Sequence, residues 1–189
     1  MKPLHTIFIL TLFFLTVNFS SAQTNIKPPV EGKSVIYFMR TSGGGALMNF
    51  RFFDGETYLG KFGGVNYLRY ECEPGEHLFW VKAENTDFLE ADLEANKIYF
   101  VEANAVMGAF TAGVKFKLVD YDHKRQFKKR IKKLLAKKEP KTFTDEELAE
   151  GQEKFKLIIE NGLNTYKRKE GRDKEFKRIE KDDNYKGEI

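Results

Sequence analysis

The sequence predicts a mainly β fold, an antiparallel β-sandwich of seven to eight strands followed by a charged, α-helical C-terminal extension. Two observations predict it. Between residues 34 and 121, short segments alternate apolar and polar residues with a period of two and are separated by turn residues, which is typical of half-buried antiparallel strands. After residue 121, apolar residues recur at helical spacing, and lysine and arginine fill most of the other positions.

The predicted strands follow one another at short intervals. The first, Ser34 to Met39, is rich in Val, Ile, Tyr and Phe, as a largely buried strand is. The turn sequences Asp54-Gly55 and Pro74-Gly75 supply the backbone angles that tight turns require. The remaining strand segments are 48–52, 57–62, 65–73, 77–83, 89–93, 98–103 and 114–118.

The only cysteine of the chain, Cys72, is predicted to be buried in a strand. Leu68, Tyr70 and Cys72 alternate with charged residues, so the thiol lies on the apolar face. A buried cysteine behaves as a small hydrophobic residue. One cysteine cannot form an internal disulfide, and the hydrophobic core of a domain of this size can be stable without one.

Two helices are predicted after the strands. The first carries an apolar stripe of Phe127, Ile131, Leu134 and Leu135, and it ends at Glu139-Pro140. The second begins after a capping box formed by Thr144 and Glu147 and extends to about Tyr166. Residues 167–189 are mostly charged and are predicted to be a mobile end.

The N-terminus has the pattern of a secretory signal peptide. Lys2 precedes an uncharged apolar run at 7–17, and Ser20-Ser21-Ala22 offers small residues at the cleavage site. The run is too short to span a bilayer core of about 30 Å as a helix. We therefore expect cleavage before Gln23, and an exported protein that is periplasmic or secreted.

Charge divides the mature chain near residue 121. Residues 23–121 hold 10 basic and 13 acidic residues, whereas 122–189 hold 21 basic and 15 acidic residues. Such a change of composition marks a boundary. The predicted organisation is a signal peptide (1–22), an extended lead-in (23–33), the β-sandwich domain (34–121), a two-helix basic extension (122–166) and the mobile tail (167–189).

The residue types needed for catalysis are scarce. The mature chain has two serines, Ser34 and Ser42, and two histidines, His77 and His123, in no arrangement typical of a nucleophile with its base. The glycines at 43–45 lack the Gly-Lys-Ser/Thr ending of a phosphate-binding loop. No spacing of His, Cys and carboxylates resembles that of a metal site. We expect no enzymatic activity, no catalytic residue, no metal and no cofactor.

The strongest candidate interaction surface is the basic first helix. An anionic membrane surface or an unknown envelope protein would suit its charge, whereas nucleic acid does not suit an exported protein. Two interpretations remain open: the apolar stripe packs on the sandwich with the lysines in water, or it is a membrane-binding element. The candidate residues are Lys124, Arg125, Lys128, Lys129, Arg130, Lys132 and Lys133.

The strand region resembles the domain-of-unknown-function family 2846. The resemblance is carried by the segment 35–40, by Asp54-Gly55 with Leu59-Gly60, by the Pro-Gly-Glu-His turn at 74–77, and by the Asn-Lys-Ile-Tyr-Phe-Val segment at 96–101. It implies a small exported bacterial protein with a β-sandwich-like domain and no catalytic residues. Members are often lipoproteins, whereas this chain has no cysteine at the expected cleavage site.

The resemblance covers roughly residues 32–120, and it leaves the basic extension outside. Together with the export signal, it predicts a non-enzymatic β-sandwich protein with a binding or assembly role at the cell envelope. One alternative is a peripheral membrane-surface protein that uses the helix at 122–138. Another is an enzyme of unrecognised type. The sequence predicts no particular ligand or oligomeric state.

Overall fold

The computed structural model describes residues 26–45, 47–107, 112–119, 125–172 and 174–187, without the side chains of 125–127. The predicted signal peptide and the first residues of the lead-in lie outside this part of the chain. The strands are β1 (Ser34–Arg40), β2 (Asn49–Asp54), β3 (Thr57–Gly63), β4 (Asn66–Cys72), β5 (Gly75–Lys82), β6 (Thr86–Leu93), β7 (Ile98–Met107), β8 (Ala112–Leu118) and β9 (Lys177–Ile179). The helices are α1 (Arg125–Lys137), α2 (Asp145–Lys154) and α3 (Lys156–Glu170), and a 3₁₀ turn spans Lys181–Asp183.

The strands form two sheets, and the fold is mainly β, as predicted. The first sheet has the order β4-β1-β7-β8, and the second has the order β3-β2-β5-β6-β9. The prediction of a purely antiparallel arrangement is wrong, because β1 pairs with β7 in parallel, and so does β6 with β9. The predicted count of seven to eight strands is also short by at least one, because β9 comes from the C-terminal segment.

One core lies between the two sheets and is formed by the inward-facing residues of both. Phe38 of the first sheet places its ring 5.3 Å from the rings of Phe52 and Phe79 of the second. Cys72 is buried in this core, as its place in the alternating pattern predicts. The alternation of buried and exposed residues along β8, with Lys115 exposed between two buried positions, is the pattern that identified the strand.

The outer faces of both sheets are covered by the C-terminal half of the chain. α1 packs on the first sheet, and α2 and α3 pack on the second. Gly151 and Gly162 allow this close approach, because a Cβ at Gly151 would lie 2.2 Å from the Tyr58 ring and one at Gly162 would lie 2.8 Å from the Trp80 ring. The three helices between residues 125 and 170 therefore pack over the sheets instead of extending away from them.

The structure differs from the predicted extension in two places. The predicted second helix is interrupted at Phe155, where φ of −103° and ψ of 11° separate α2 from α3. The predicted mobile tail is wrong for most of its described length. α3 continues to Glu170, and β9 then joins the edge of β6, where Ile179 enters the inter-sheet core.

The segment between α1 and α2 passes from one outer face to the other along the β3 and β4 edges. The backbone N–H of Lys141 donates to the carbonyl of Tyr67 at 2.8 Å. Phe143 then packs against the inter-sheet core, directly over Gly60. The capping box of Thr144 and Glu147 starts α2 as predicted, with both of its reciprocal hydrogen bonds present. This crossing fixes α1 at its C-terminal end.

Candidate functional site

The basic helix α1 is held on the first sheet by its apolar stripe. Ile131 and Leu135 are completely buried, and Leu134 is 3% exposed. They pack in one cluster with alternate residues of β1, including Tyr37, and with Phe100 of β7. This arrangement corresponds to the first of the two interpretations of the stripe, in which it packs on the sheets and the lysines face water. The fourth predicted stripe residue, Phe127, lies outside the described side chains.

The C-terminal end of α1 is anchored by polar contacts as well. The Tyr67 hydroxyl of β4 donates to the carbonyl of Lys138 at 3.1 Å, just beyond the helix. Burial is the main cause that raises the pKa of Tyr67 above its usual value, so this hydroxyl stays protonated as a donor. Hydrophobic packing and this hydrogen bond together fix the orientation of α1, so its opposite side forms a positioned surface.

That opposite side carries three of the predicted lysines, Lys129, Lys132 and Lys133, and also Lys137, which was not among the predicted residues. Lys129, Lys132, Lys133 and Lys137 are exposed, and within the described part of the chain they form no ion pair with a carboxylate. Their charges therefore add to a local positive potential. We call these four residues the basic face of α1.

The other predicted site residues differ from the basic face in exposure, in contacts or in being outside the described residues. Arg130 is exposed and Lys128 is half-buried, and both make further contacts. Lys124 and the side chain of Arg125 lie outside the described residues. The structure thus brings most of the described candidates together on one helix, beside and around the basic face.

A pocket of about 340 Å³ opens beside the basic face, between α1 and the ends of β1 and β4. Its ionisable lining residues are all cationic: Arg130, Lys133, Lys137 and Lys138. The rest of its lining is Leu134, Val65 and Thr41. These positions on α1 recur every three to four residues, so one side of the helix supplies most of the pocket.

The wall of the pocket is backed by a buried carboxylate. The Thr41 hydroxyl donates to Glu102 of β7, which is 1% exposed. The Asn104 side chain donates to the other Glu102 oxygen at 2.9 Å. Because both carboxylate oxygens accept hydrogen bonds inside the protein, Glu102 fixes Thr41 in the wall, while the lining of the pocket itself stays cationic.

Sequence reasoning identified the basic run but missed four residues of this pocket. Lys137 and Lys138 continue the same run and could have been included on that signal alone. Thr41 and Val65 could not, because they approach α1 only through the pairing of β1 with β4. Nothing local in the sequence joins residues 41 and 65 to a helix more than sixty residues later.

A second polar cluster surrounds His77 where β2, β4 and β5 meet. His77 Nδ1 lies 2.7 Å from Asp54 Oδ2, and Nε2 lies 2.8 Å from the Glu73 carbonyl oxygen. Both neighbours are acceptors, so both ring nitrogens donate and the ring is an imidazolium. The Tyr70 hydroxyl donates to the same Asp54 oxygen at 3.3 Å. With both nitrogens engaged, His77 has no free position from which to act as a base for the buried Cys72.

The His77 cluster predicts a pH-dependent stability. Burial by itself lowers the pKa of His77, but interactions with Asp54, Cys72 and the Glu73 carbonyl raise it to about 10. The unfolded value is about 6.5. The imidazolium therefore stabilises the fold fully below about pH 6.5, and this contribution is lost as the pH rises through about 10. At about 1.4 kcal/mol per pKa unit, the loss amounts to at most about 5 kcal/mol.

The measurement is urea unfolding of the protein and of His77→Gln between pH 6 and pH 10. The free energy of unfolding should fall with pH for the unchanged protein and should fall much less for His77→Gln. Parallel pH profiles for the two proteins would contradict the assignment of an imidazolium at this position. Because Gln keeps a polar side chain of similar reach, the variant tests the charge more than the packing.

No group of three or more His, Cys, Asp or Glu side chains is placed to hold a metal ion in the described part of the chain. Among the same residues, no helix has both the length and the apolar character needed to cross a membrane.

Comparisons with family models, with curated proteins and with solved structures give no match to this chain. The resemblance to the domain-of-unknown-function family 2846 therefore rests on the strand and turn residues that carry it. A function has to be argued from the geometry of α1 and its surroundings.

Proposed function

We propose that this chain is an exported, non-enzymatic β-sandwich protein that binds an anionic partner at the cell envelope through the basic face of α1. The observation that carries the proposal is the basic face of α1, whose four lysines have no carboxylate partner among the described residues, on a helix whose apolar side is already buried. A helix in this position can attract an anionic surface, but it has no second apolar stripe with which to insert into it.

The non-enzymatic part of the proposal is supported by the chemistry of the His77 cluster. Both ring nitrogens of His77 are committed to acceptors, and the Ser34 hydroxyl donates to the carbonyl of Glu94 at 2.7 Å. The hydrogen bonds of His77 and Ser34 are therefore explained by a structural role for both side chains. His123 lies outside the described residues.

The binding proposal is tested by sedimentation with vesicles that contain phosphatidylglycerol. A basic residue near an anionic membrane surface contributes about 1 kcal/mol. Replacing Lys129, Lys132, Lys133 and Lys137 with Gln is therefore expected to weaken vesicle binding by on the order of 100-fold or more. Salt should release the unchanged protein, since the Debye length is only about 10 Å at 0.1 M.

The matched control removes the same charge elsewhere. Lys61, Lys115, Lys156 and Lys174 are also exposed and lie off α1. Their replacement with Gln should leave most of the vesicle binding intact, and both variants should melt like the unchanged protein. If both variants lost binding equally, net charge would explain the attraction and α1 would not be the binding face. If neither lost binding, the proposal would be wrong.

Export is tested separately by the mass of the mature protein. The pattern Ser20-Ser21-Ala22 predicts that the exported protein begins at Gln23. Intact-mass measurement or N-terminal sequencing of protein recovered from the periplasm or medium should find this terminus. A membrane-bound form that retains residues 1–22 would overturn the localisation.

A further inference from the structure

The pocket beside α1 combines two properties that a purely electrostatic surface does not need. Among the described residues, its ionisable lining is Arg130, Lys133, Lys137 and Lys138, and none of these is a carboxylate. Its volume of about 340 Å³ lies in the range of small-molecule sites. A concave site of this size confines a ligand, whereas a flat lysine surface only attracts one.

The second property is an apolar side to the pocket. Leu134 lines it from α1, and Val65 lines it from the turn between β3 and β4. Val65 is 37% exposed, so part of its side chain is accessible to a ligand in the pocket. A free inorganic anion makes no use of such a surface, because burying apolar area stabilises only a ligand that has apolar groups.

The chemistry of the cationic side chains indicates which kind of anion suits the pocket. Ammonium groups are point charges with rotatable donors, and they bind phosphate oxygens well. Lys133, Lys137 and Lys138 each present such a group to the pocket, whereas Arg130, which also lines it, has a contact of its own. Three ammonium charges in one pocket are neutralised better by a phosphate group than by a single carboxylate, because the phosphate carries more charge and more acceptors.

We propose that this pocket binds the phosphate headgroup of one anionic lipid, with the first part of its apolar chains against Val65. The proposal rests on the proposed function, because the basic face brings the mouth of the pocket to the anionic surface. It adds a defined site with a stoichiometry of one lipid per chain, where the basic face alone would give only a diffuse attraction.

The test is calorimetric titration of the mature chain with three soluble probes. Dihexanoyl phosphatidic acid carries both the phosphate and short chains, dihexanoyl phosphatidylcholine carries the chains with a neutral headgroup, and inorganic phosphate carries no chain. We expect saturable one-to-one binding of the phosphatidic acid, and at least 10-fold weaker binding of the other two. Val65→Ser should weaken phosphatidic acid binding and leave the response to inorganic phosphate unchanged.

Two double variants locate the site on α1. Lys133→Gln with Lys137→Gln removes two pocket cations, and Lys129→Gln with Lys132→Gln removes two cations of the same helix outside the pocket. The first pair should weaken phosphatidic acid binding at least 10-fold, and the second should change it less than threefold. All four residues are exposed, so unchanged melting curves are the check on folding.

The results that would overturn the inference differ from those that would overturn the proposed function. If the two double variants lost phosphatidic acid binding equally, or if phosphatidic acid gave no saturable binding, the pocket would not be the lipid site. Vesicle sedimentation could still support binding through the basic face. Inorganic phosphate binding as tightly as phosphatidic acid would replace the lipid with a free phosphate. Vesicle binding that survives loss of the basic face would instead contradict the proposed function. If the mature chain bound an acidic protein but neither vesicles nor phosphatidic acid, the assignment of an anionic lipid as the ligand would be wrong.

Discussion

Ile131→Asp is expected to lower the free energy of unfolding by roughly 3–5 kcal/mol, one of the two largest effects predicted for this chain. The side chain is fully buried between α1 and the first sheet. Shortening it leaves a cavity, and the new carboxylate either remains charged in an apolar environment or is protonated there at a cost. The loss should appear as a lower urea midpoint measured by circular dichroism.

The matched control for this variant is Ala136→Asp, which introduces the same charge on the exposed side of α1. A negative charge near a helix C-terminus is mildly unfavourable, so a cost below about 1 kcal/mol is expected. Similar small effects from both variants would mean that α1 does not pack on the first sheet in solution. That result would also remove the rigid basic face on which the proposed function depends.

The docking of α1 explains why the proposed binding is separable from folding. The residues that hold the helix, such as Ile131 and Leu135, differ from those that form its basic face, such as Lys129 and Lys132. Changes to the first set should alter stability, and changes to the second should alter binding. A membrane-inserted helix would use its apolar residues for binding, and the two effects would then coincide.

The sequence predicts those parts of the fold that depend on patterns of neighbouring residues. Eight strands follow from alternation and turn residues, and the start of α2 follows from the capping box at Thr144. The burial of Cys72 follows from the phase of β4. Each of these depends on neighbours within a few residues, which is the range over which periodicity carries information.

The missed parts depend on contacts between distant segments. β9 has only three residues, Lys177 to Ile179, and two of them are basic, so no alternation identifies it. It becomes a strand by pairing with β6, nearly ninety residues earlier. The parallel pairing of β1 with β7 is equally non-local. In the same way, Val65 joins the pocket beside α1 only through the tertiary fold.

Gly60→Ala is expected to cost roughly 3–5 kcal/mol, for two reasons that can be separated. Gly60 lies in β3 with a φ of +129°, where a side chain is strained. A Cβ there would also lie 2.1 Å from Cε2 of Phe143, whose ring covers this edge of the core. The ring precedes α2 directly, so displacing it disturbs the crossing that connects α1 with α2.

A double-mutant cycle separates the clash from the backbone strain. In the Phe143→Ala background the ring is absent, so Gly60→Ala should cost only the strain, about 1–3 kcal/mol. Gly64→Ala is the control for a positive φ without a neighbour, because φ is +62° there and no atom lies within 4 Å of the new Cβ. Additive costs at Gly60 and Phe143 would mean that the ring does not cover Gly60. A free-energy cost at Gly60 no larger than that at Gly64 would also mean that the Phe143 ring does not cover Gly60. The segment between α1 and α2 would then not be packed against β3.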